Sequence, residues 1–348
     1  MAVEINRSVV LPAPKTIDIR ETPKPTPGPG EVLIKVKASA LCTWEQRVYK
    51  GAQQDSYPLL GGHEFSGIVE AVGPDVKEPI AVGDHVAVAR IFRCGECREC
   101  RIGYDNLCSN MREVRYAGLP FGPGGLSDYV VAPRYQVYKV ADDLPFEEAA
   151  LSEPVSCVVR SIERSGVDFG DPVVILGAGV MGLLHVQLAK RRGAKVIVSE
   201  PVAVRRQKAL EMGADSVIDP TAGDPVAAVR ELTGGKGATC VFVAGGDGPA
   251  IEGAIKMAAK GGRVVLYAAF YPVPEVHLDV NRVHHNEISI IGTMSQSKED
   301  FLRATELLSS RSIDVRSLVS KLVPFNRVEE AFEQAIVPGT YRVIVTFA

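Results

Sequence analysis

Directly after the apolar run at 172–176 (PVVIL) the chain reads Gly177-Ala178-Gly179-Val180-Met181-Gly182, and a helix-like run follows it to about residue 193. Strand, G-x-G-x-x-G turn and helix in that order admit few folds. Gly177 permits the tight turn, Gly179 lets a pyrophosphate approach the backbone at the helix N-terminus, and Gly182 lets helix and strand pack closely. Glu200 closes the next apolar run, at 195–199, where the dinucleotide fingerprint expects an acidic residue. A carboxylate there accepts hydrogen bonds from a ribose 2'-hydroxyl and repels a 2'-phosphate, which favours NAD. Arg205 and Arg206 follow closely and keep NADP open as the alternative.

The same rhythm of apolar strand, glycine turn and helical spacing recurs. Strand candidates lie at 172–176, 195–199, 216–218, 240–244, 263–267 and 288–292. This predicts a doubly wound parallel sheet with crossover helices over 155–294. Residues 1–154 read differently, as short apolar or alternating strands broken by Gly and Pro, for example at 31–39, 85–91, 128–133 and 136–140. That is an irregular β domain, with the Pro/Gly-rich stretch at 22–30 as a surface turn. After 292 come a helix-like run at 298–310 and strand candidates at 318–325 and 341–348. The segment 295–348 is too short to fold alone and is expected to return and complete the first domain. The class is α/β.

With 348 residues the chain has room for two such domains. Apolar residues make up 46% and no run approaches the roughly 18 apolar residues of a membrane helix. The net charge of -3 offers no basic field for a nucleic-acid backbone. Glu4 and Arg7 leave no secretory h-region in the first ten residues. The expectation is a cytoplasmic protein acting on a small molecule, with neither nucleic acid nor membrane as partner.

Cys94, Cys97, Cys100 and Cys108 form C-x2-C-x2-C-x7-C. Four thiolates so spaced can close a tetrahedron round one zinc ion, leave it no open position, and suit it to a structural role. An iron–sulfur cluster or free thiols are the other readings. A second constellation is scattered: Cys42, His63-Glu64, and Glu153 before Pro154. Each has a plain explanation as a core thiol, a hydrogen-bonded histidine or a surface carboxylate, and spacing alone does not join them.

Taken together, Cys42, GHEFSG at 62–67, the four-cysteine lobe at 94–108 and GAGVMG at 177–182 resemble the zinc-dependent medium-chain dehydrogenases. The likeness is to their sorbitol (polyol) and threonine dehydrogenase branch. The resemblance implies a GroES-like catalytic domain interrupted by a Rossmann domain, two zinc ions per subunit, and a homo-oligomer, dimer or tetramer. It makes Cys42 and His63 catalytic zinc ligands. Glu64 is a ligand in some members and stands behind the metal in others, and Glu153 takes the place of the second cysteine of alcohol dehydrogenases. Cys157, four residues on, remains a core thiol. Gly177, Gly179, Val180, Met181, Gly182, Glu200, Arg205, Thr293 and Met294 match cofactor contacts.

One departure stands out. The family usually reads C-G-S/T-D after the ligand cysteine, with a proton-relay hydroxyl two residues on, and here the run is Cys42-Thr43-Trp44-Glu45-Gln46-Arg47. Thr43 and Glu45 become the relay candidates, with bulk water as the alternative proton acceptor, and Trp44 and Arg47 the candidate substrate contacts, Trp44 otherwise a plain pocket wall. The implied reaction passes hydride from a secondary alcohol of a polyol, sugar or cyclitol to NAD. The alternatives are L-threonine 3-dehydrogenase, an NADP-dependent sugar dehydrogenase, and a non-catalytic zinc- and dinucleotide-binding relative.

Overall fold

A computed structural model describes residues 4–53, 57–111 and 118–348, a set that includes every site residue named above. The chain falls into two compact units, one of residues 1–156 with 296–348 and one of residues 157–295. Among the described residues no helix is long and apolar enough to cross a membrane.

The second unit is built on six parallel strands in the spatial order Ser216–Ile218, Lys195–Ser199, Pro172–Leu176, Ala238–Val243, Ala258–Leu266 and Ser289–Gly292. Val173, Val174, Ile175, Val241 and Phe242 are fully buried, as a parallel sheet covered on both faces requires. The chain starts in the middle of this sheet and winds outward both ways. The order therefore reverses beside Pro172–Leu176, and ligands of such sheets bind at the carboxyl ends of the strands at that point. The Ala258–Leu266 strand starts earlier than the apolar run at 263–267 suggests. Its first half carries Lys260, Gly261 and Gly262, whose composition hides it.

In the first unit, a seven-stranded sheet runs in the order Val319–Pro324, Arg342–Thr346, Glu31–Ala40, Glu64–Val72, His85–Ala89 and Val137–Lys139, with Tyr129–Pro133 also paired to Glu31–Ala40. Ile5–Leu11, Asp18–Pro23 and Leu59–Leu60 form a smaller sheet. The C-terminal strand Arg342–Thr346 lies antiparallel to Glu31–Ala40, Ile344 facing Ala40. Phe65, Phe332, Leu41 and Leu126 lie in the core between these elements.

Among the elements that the sequence reading did not place, three carry the site. GHEFSG runs into the strand Glu64–Val72, where burial of both faces erases the period-2 signal. Thr43–Lys50 is a helix whose end is marked by Gly51 in the left-handed region (φ 74°). Glu153-Pro154 opens the helix Ser152–Ser165, where a proline in the first turn costs no hydrogen bond.

Candidate active site

Sheet register brings distant residues to one point. Ala40 pairs with Glu64 on one side and with Ile344 on the other, and the Leu41 N–H donates to the Val343 carbonyl at 3.0 Å. Cys42, the next residue, caps the Thr43–Lys50 helix in an extended conformation. Cys42, His63 and Glu64 each offer a ligand atom, all within 4.8 Å of one another. A tetrahedral zinc ion about 2.0–2.3 Å from each donor wants them roughly 3.3–3.8 Å apart, which needs only small side-chain rotations.

Two further side chains set this cluster. Glu45, fully buried, accepts from the Gly62 N–H at 3.2 Å and lies 2.8 Å from His63 Nδ1. This arrangement fixes the imidazole and leaves Nε2 for a metal, the usual carboxylate–histidine support of a zinc site. Burial raises the Glu45 carboxyl, but the pull of His63 wins and holds it below the ordinary range. For His63, burial lowers its affinity for a proton while Glu45 and Cys42 carry it well above the ordinary value. With no exposed atom, Glu45 orients His63; the expected role of handing a proton outward does not fit its position. Thr43, exposed and with its hydroxyl 3.8 Å from Cys42 Sγ, is the better placed of the two relay candidates.

Arg342 is the residue sequence reasoning missed. Its guanidinium donates through Nη2 to Glu64 Oε1 at 2.6 Å and through Nε to Oε2 at 3.0 Å, and it lies 3.8 Å from Cys42 Sγ. Both partners are buried. Burial pushes the Glu64 carboxyl up, Arg342 pulls it down, and the nearby Glu153 charge pushes it up again. Glu153 stands outside the three-residue cluster, yet close enough for its charge to act on both members of the pair. The available signal was one arginine inside the apolar run at 341–348.

Trp44 and Arg47 share the Thr43–Lys50 helix. Trp44 meets His63 edge-on with ring centroids 5.6 Å apart, and Arg47 Nε donates to Gln53 Oε1 at 3.3 Å.

In the four-cysteine lobe every sulfur lies within 4.8 Å of the others. Cys94 and Cys108 sulfurs are 3.5 Å apart and Cys97 and Cys108 sulfurs 3.9 Å. A tetrahedron with zinc–sulfur bonds of 2.3 Å has edges of about 3.8 Å, so the lobe is shaped for that ion. Backbone N–H groups of Cys97 and Glu96 point at Cys94 Sγ and lower its thiol to about 6, favouring the thiolate that metal binding needs. None of the cysteines is in a disulfide.

The glycine turn of the second unit has the shape a dinucleotide requires. Gly177 has φ 95°, and a Cβ at Gly182 would lie 1.9 Å from the Gly177 carbonyl oxygen. At Gly179, which caps the Val180–Arg191 helix, a Cβ would meet nothing within 4 Å. Packing does not explain that glycine, and the open space at the helix N-terminus is where a phosphate could approach the backbone. Glu200 is buried and accepts from the Ala178 N–H at 2.8 Å and the Val202 N–H at 3.0 Å. A carboxylate has about four acceptor positions, so capacity for a ribose hydroxyl remains. Arg206 donates to the Glu200 and Pro201 carbonyls at 2.8 and 2.7 Å and pairs with Asp219 at 2.9 Å. Arg205 lies beside it in the Ala203–Glu211 helix. The Met181 carbonyl accepts from buried His185 Nδ1 at 2.7 Å, a bond within the Val180–Arg191 helix, and His185 Nε2 lies 2.9 Å from Ser161 Oγ of the helix Ser152–Ser165. Thr293 and Met294 follow the strand Ser289–Gly292; the Thr293 hydroxyl is buried with no hydrogen-bond partner among the described residues, and Met294 is exposed.

The family model "Alcohol dehydrogenase GroES-like domain" matches residues 28–142, and "Zinc-binding dehydrogenase" matches 180–310. Sorbitol dehydrogenase from Halalkalibacterium halodurans is 31% identical over 94% of this chain and 95% of that protein. L-Threonine 3-dehydrogenase from Pyrococcus abyssi is 35% identical over 91% of each. A zinc-binding dehydrogenase from Sinorhizobium meliloti, solved with NADP bound, superposes with a TM-score of 0.90 at 29% identity, covering 99% of each chain.

Proposed function

The chain belongs to the zinc-dependent medium-chain dehydrogenases, and from that premise we propose that it oxidises a secondary alcohol of a polyol, sugar or cyclitol with NAD as hydride acceptor. The observation that carries this reading is the convergence of Cys42, His63 and Glu64, braced by Glu45 and Arg342, in a chain that is a zinc-type alcohol dehydrogenase. We assign one zinc ion to Cys42 and His63 with Glu64 and Glu153 at hand, and a second to Cys94, Cys97, Cys100 and Cys108. A zinc ion held by Cys42 and His63 would lower the pKa of a bound hydroxyl to near neutrality, and a bound nicotinamide would supply the hydride acceptor. The protein's own residues do the rest. Cys42 and His63 fix the metal, Glu45 holds the imidazole tautomer, and Arg342 pulls the Glu64 carboxyl toward its charged form against the push of burial and holds it in place. Thr43 is the hydroxyl positioned to pass the substrate proton outward.

The substrate side follows from the departure at Trp44. An indole and a guanidinium on one helix offer a flat wall and a fork of donors, which suit a polyhydroxylated chain or ring and are of no use to ethanol. Threonine keeps a place, since Arg47 could pair with its carboxylate and several relatives are threonine dehydrogenases. Initial rates of NAD reduction are expected to be far higher on multi-hydroxyl secondary alcohols than on ethanol, and Arg47→Ala is expected to raise KM more than it lowers kcat. Efficient ethanol oxidation, or no turnover with any member of a panel of polyols, sugars, cyclitols and amino alcohols, overturns the proposal.

For the cofactor, the Sinorhizobium neighbour was solved with NADP, so the choice of NAD rests on this chain's own residues. Glu200 places negative charge beside the glycine turn, and Arg206 is already committed to two carbonyls and Asp219. The expected kcat/KM is higher with NAD than with NADP, and Glu200→Ala is expected to narrow the ratio. A wild-type preference for NADP would contradict it.

We also propose a homo-oligomer. The edge strand Ser289–Gly292 pairs on one side only among the described residues and exposes Ile290, the kind of edge that a second copy covers. Light scattering is expected to give the mass of a dimer or tetramer; a monomer across the working concentration range would refute it.

A further inference from the structure

The chain passes between its two units twice. The first passage, at 156–157, lies inside the helix Ser152–Ser165, and the second, at 295–296, follows directly on Thr293 and Met294. Ser295 there has φ +53°, the left-handed region that a serine adopts only when its surroundings impose it. What the first unit does to the residues just beyond Ser295 is specific. Arg93, buried and immediately before Cys94, donates through Nη2 to the Gln296 carbonyl at 2.6 Å and through Nη1 to the Ile91 carbonyl at 3.2 Å. Asp105, buried between Cys100 and Cys108, lies 3.1 Å from Arg93 Nε and accepts from the Lys298 N–H at 3.3 Å. Lys298 is the first residue of the helix Lys298–Ser309, capped by Ser297 and Asp300. Its N–H has no partner within the helix, and a carboxylate is favoured at that end.

Both residues grip main-chain atoms, and Asp105 adds an ion pair with Lys298 Nζ at 3.7 Å, so the path of the backbone is fixed mainly through groups that every residue shares. Both grips come from residues inside or beside the four-cysteine loop. We propose that Arg93 and Asp105 are positioning residues for cofactor binding: through them the metal-bound lobe holds Gln296 and Lys298, and so sets the path of the segment carrying Thr293 and Met294. The lobe then has a second task besides stabilising its own loop. Loss of its metal releases that segment and weakens nucleotide binding while the catalytic ligands remain intact. This inference rests on the reading of Thr293 and Met294 as cofactor contacts.

The test compares the zinc-loaded wild type with Arg93→Ala and with Asp105→Asn, which keeps the size of the side chain and removes its charge. Titration calorimetry with NADH gives the dissociation constant, metal analysis gives the zinc content, and hydrogen exchange reports on residues 293–300. The expected result is a dissociation constant raised about fivefold or more, faster exchange confined to that segment, and unchanged zinc content. If Arg93→Ala loses the lobe zinc, the outcome is judged on Asp105→Asn. Wild-type affinity in a variant that retains both zinc ions overturns the proposal. No NADH binding by the zinc-loaded wild type would instead overturn the cofactor assignment on which it stands.

Discussion

Cys42→Ala is expected to lower kcat by at least about 10³-fold, because a substrate hydroxyl loses the acidification that bound zinc supplies. Zinc content should fall from two ions per subunit to one, with the thermal transition little changed. The sulfur is half-buried at a helix N-terminus, where its side chain makes no capping hydrogen bond, so its removal takes away metal chemistry and little packing. Metal analysis and initial rates on the same preparation check the prediction together. Activity persisting with one zinc remaining would move the catalytic metal away from this cluster.

Arg342→Met should cost about 3–5 kcal/mol of stability, since it leaves the fully buried Glu64 carboxylate without its counter-charge. The sign of the pH effect follows. Burial already raises the folded-state value of Glu64 to about 7 against the pull of Arg342, above its unfolded value near 4.3. Without Arg342 it rises further, so the folded variant keeps the proton to higher pH and the loss grows as pH rises through and above about 7. Adding Glu64→Gln to Arg342→Met should recover part of the loss above about pH 7 by removing the buried charge. Urea unfolding of the two single variants and the double variant from acid to mildly alkaline pH measures both effects. A loss under about 1 kcal/mol, or no recovery in the double variant, would mean that water already reaches this pair.

Arg342 also marks where sequence reading stopped. Its strand was legible as an apolar run, yet nothing in the run says which residues lie across from it. The same holds for Glu45, whose place after Cys42 suggested a route for a proton. Burial and the 2.8 Å contact to His63 Nδ1 turn it into a support for the imidazole. Arg93 and Asp105 read as surface charges beside a cysteine loop; their backbone partners, the Gln296 carbonyl and the Lys298 N–H, lie about two hundred residues away.

The features legible from residue order are those governed by interactions local in the chain. The glycine turn after Pro172–Leu176, the alternation of parallel strands and helices, and the four cysteines of one short loop are each specified within a few residues. There, backbone stereochemistry and ligand spacing act directly. The tertiary structure alone decided which scattered polar residues meet. Cys42, Glu64 and Arg342 come together because Glu31–Ala40 pairs with Glu64–Val72 on one edge and with Arg342–Thr346 on the other. A register of that kind is set by the packing of a whole sheet face, and no window of the sequence contains it.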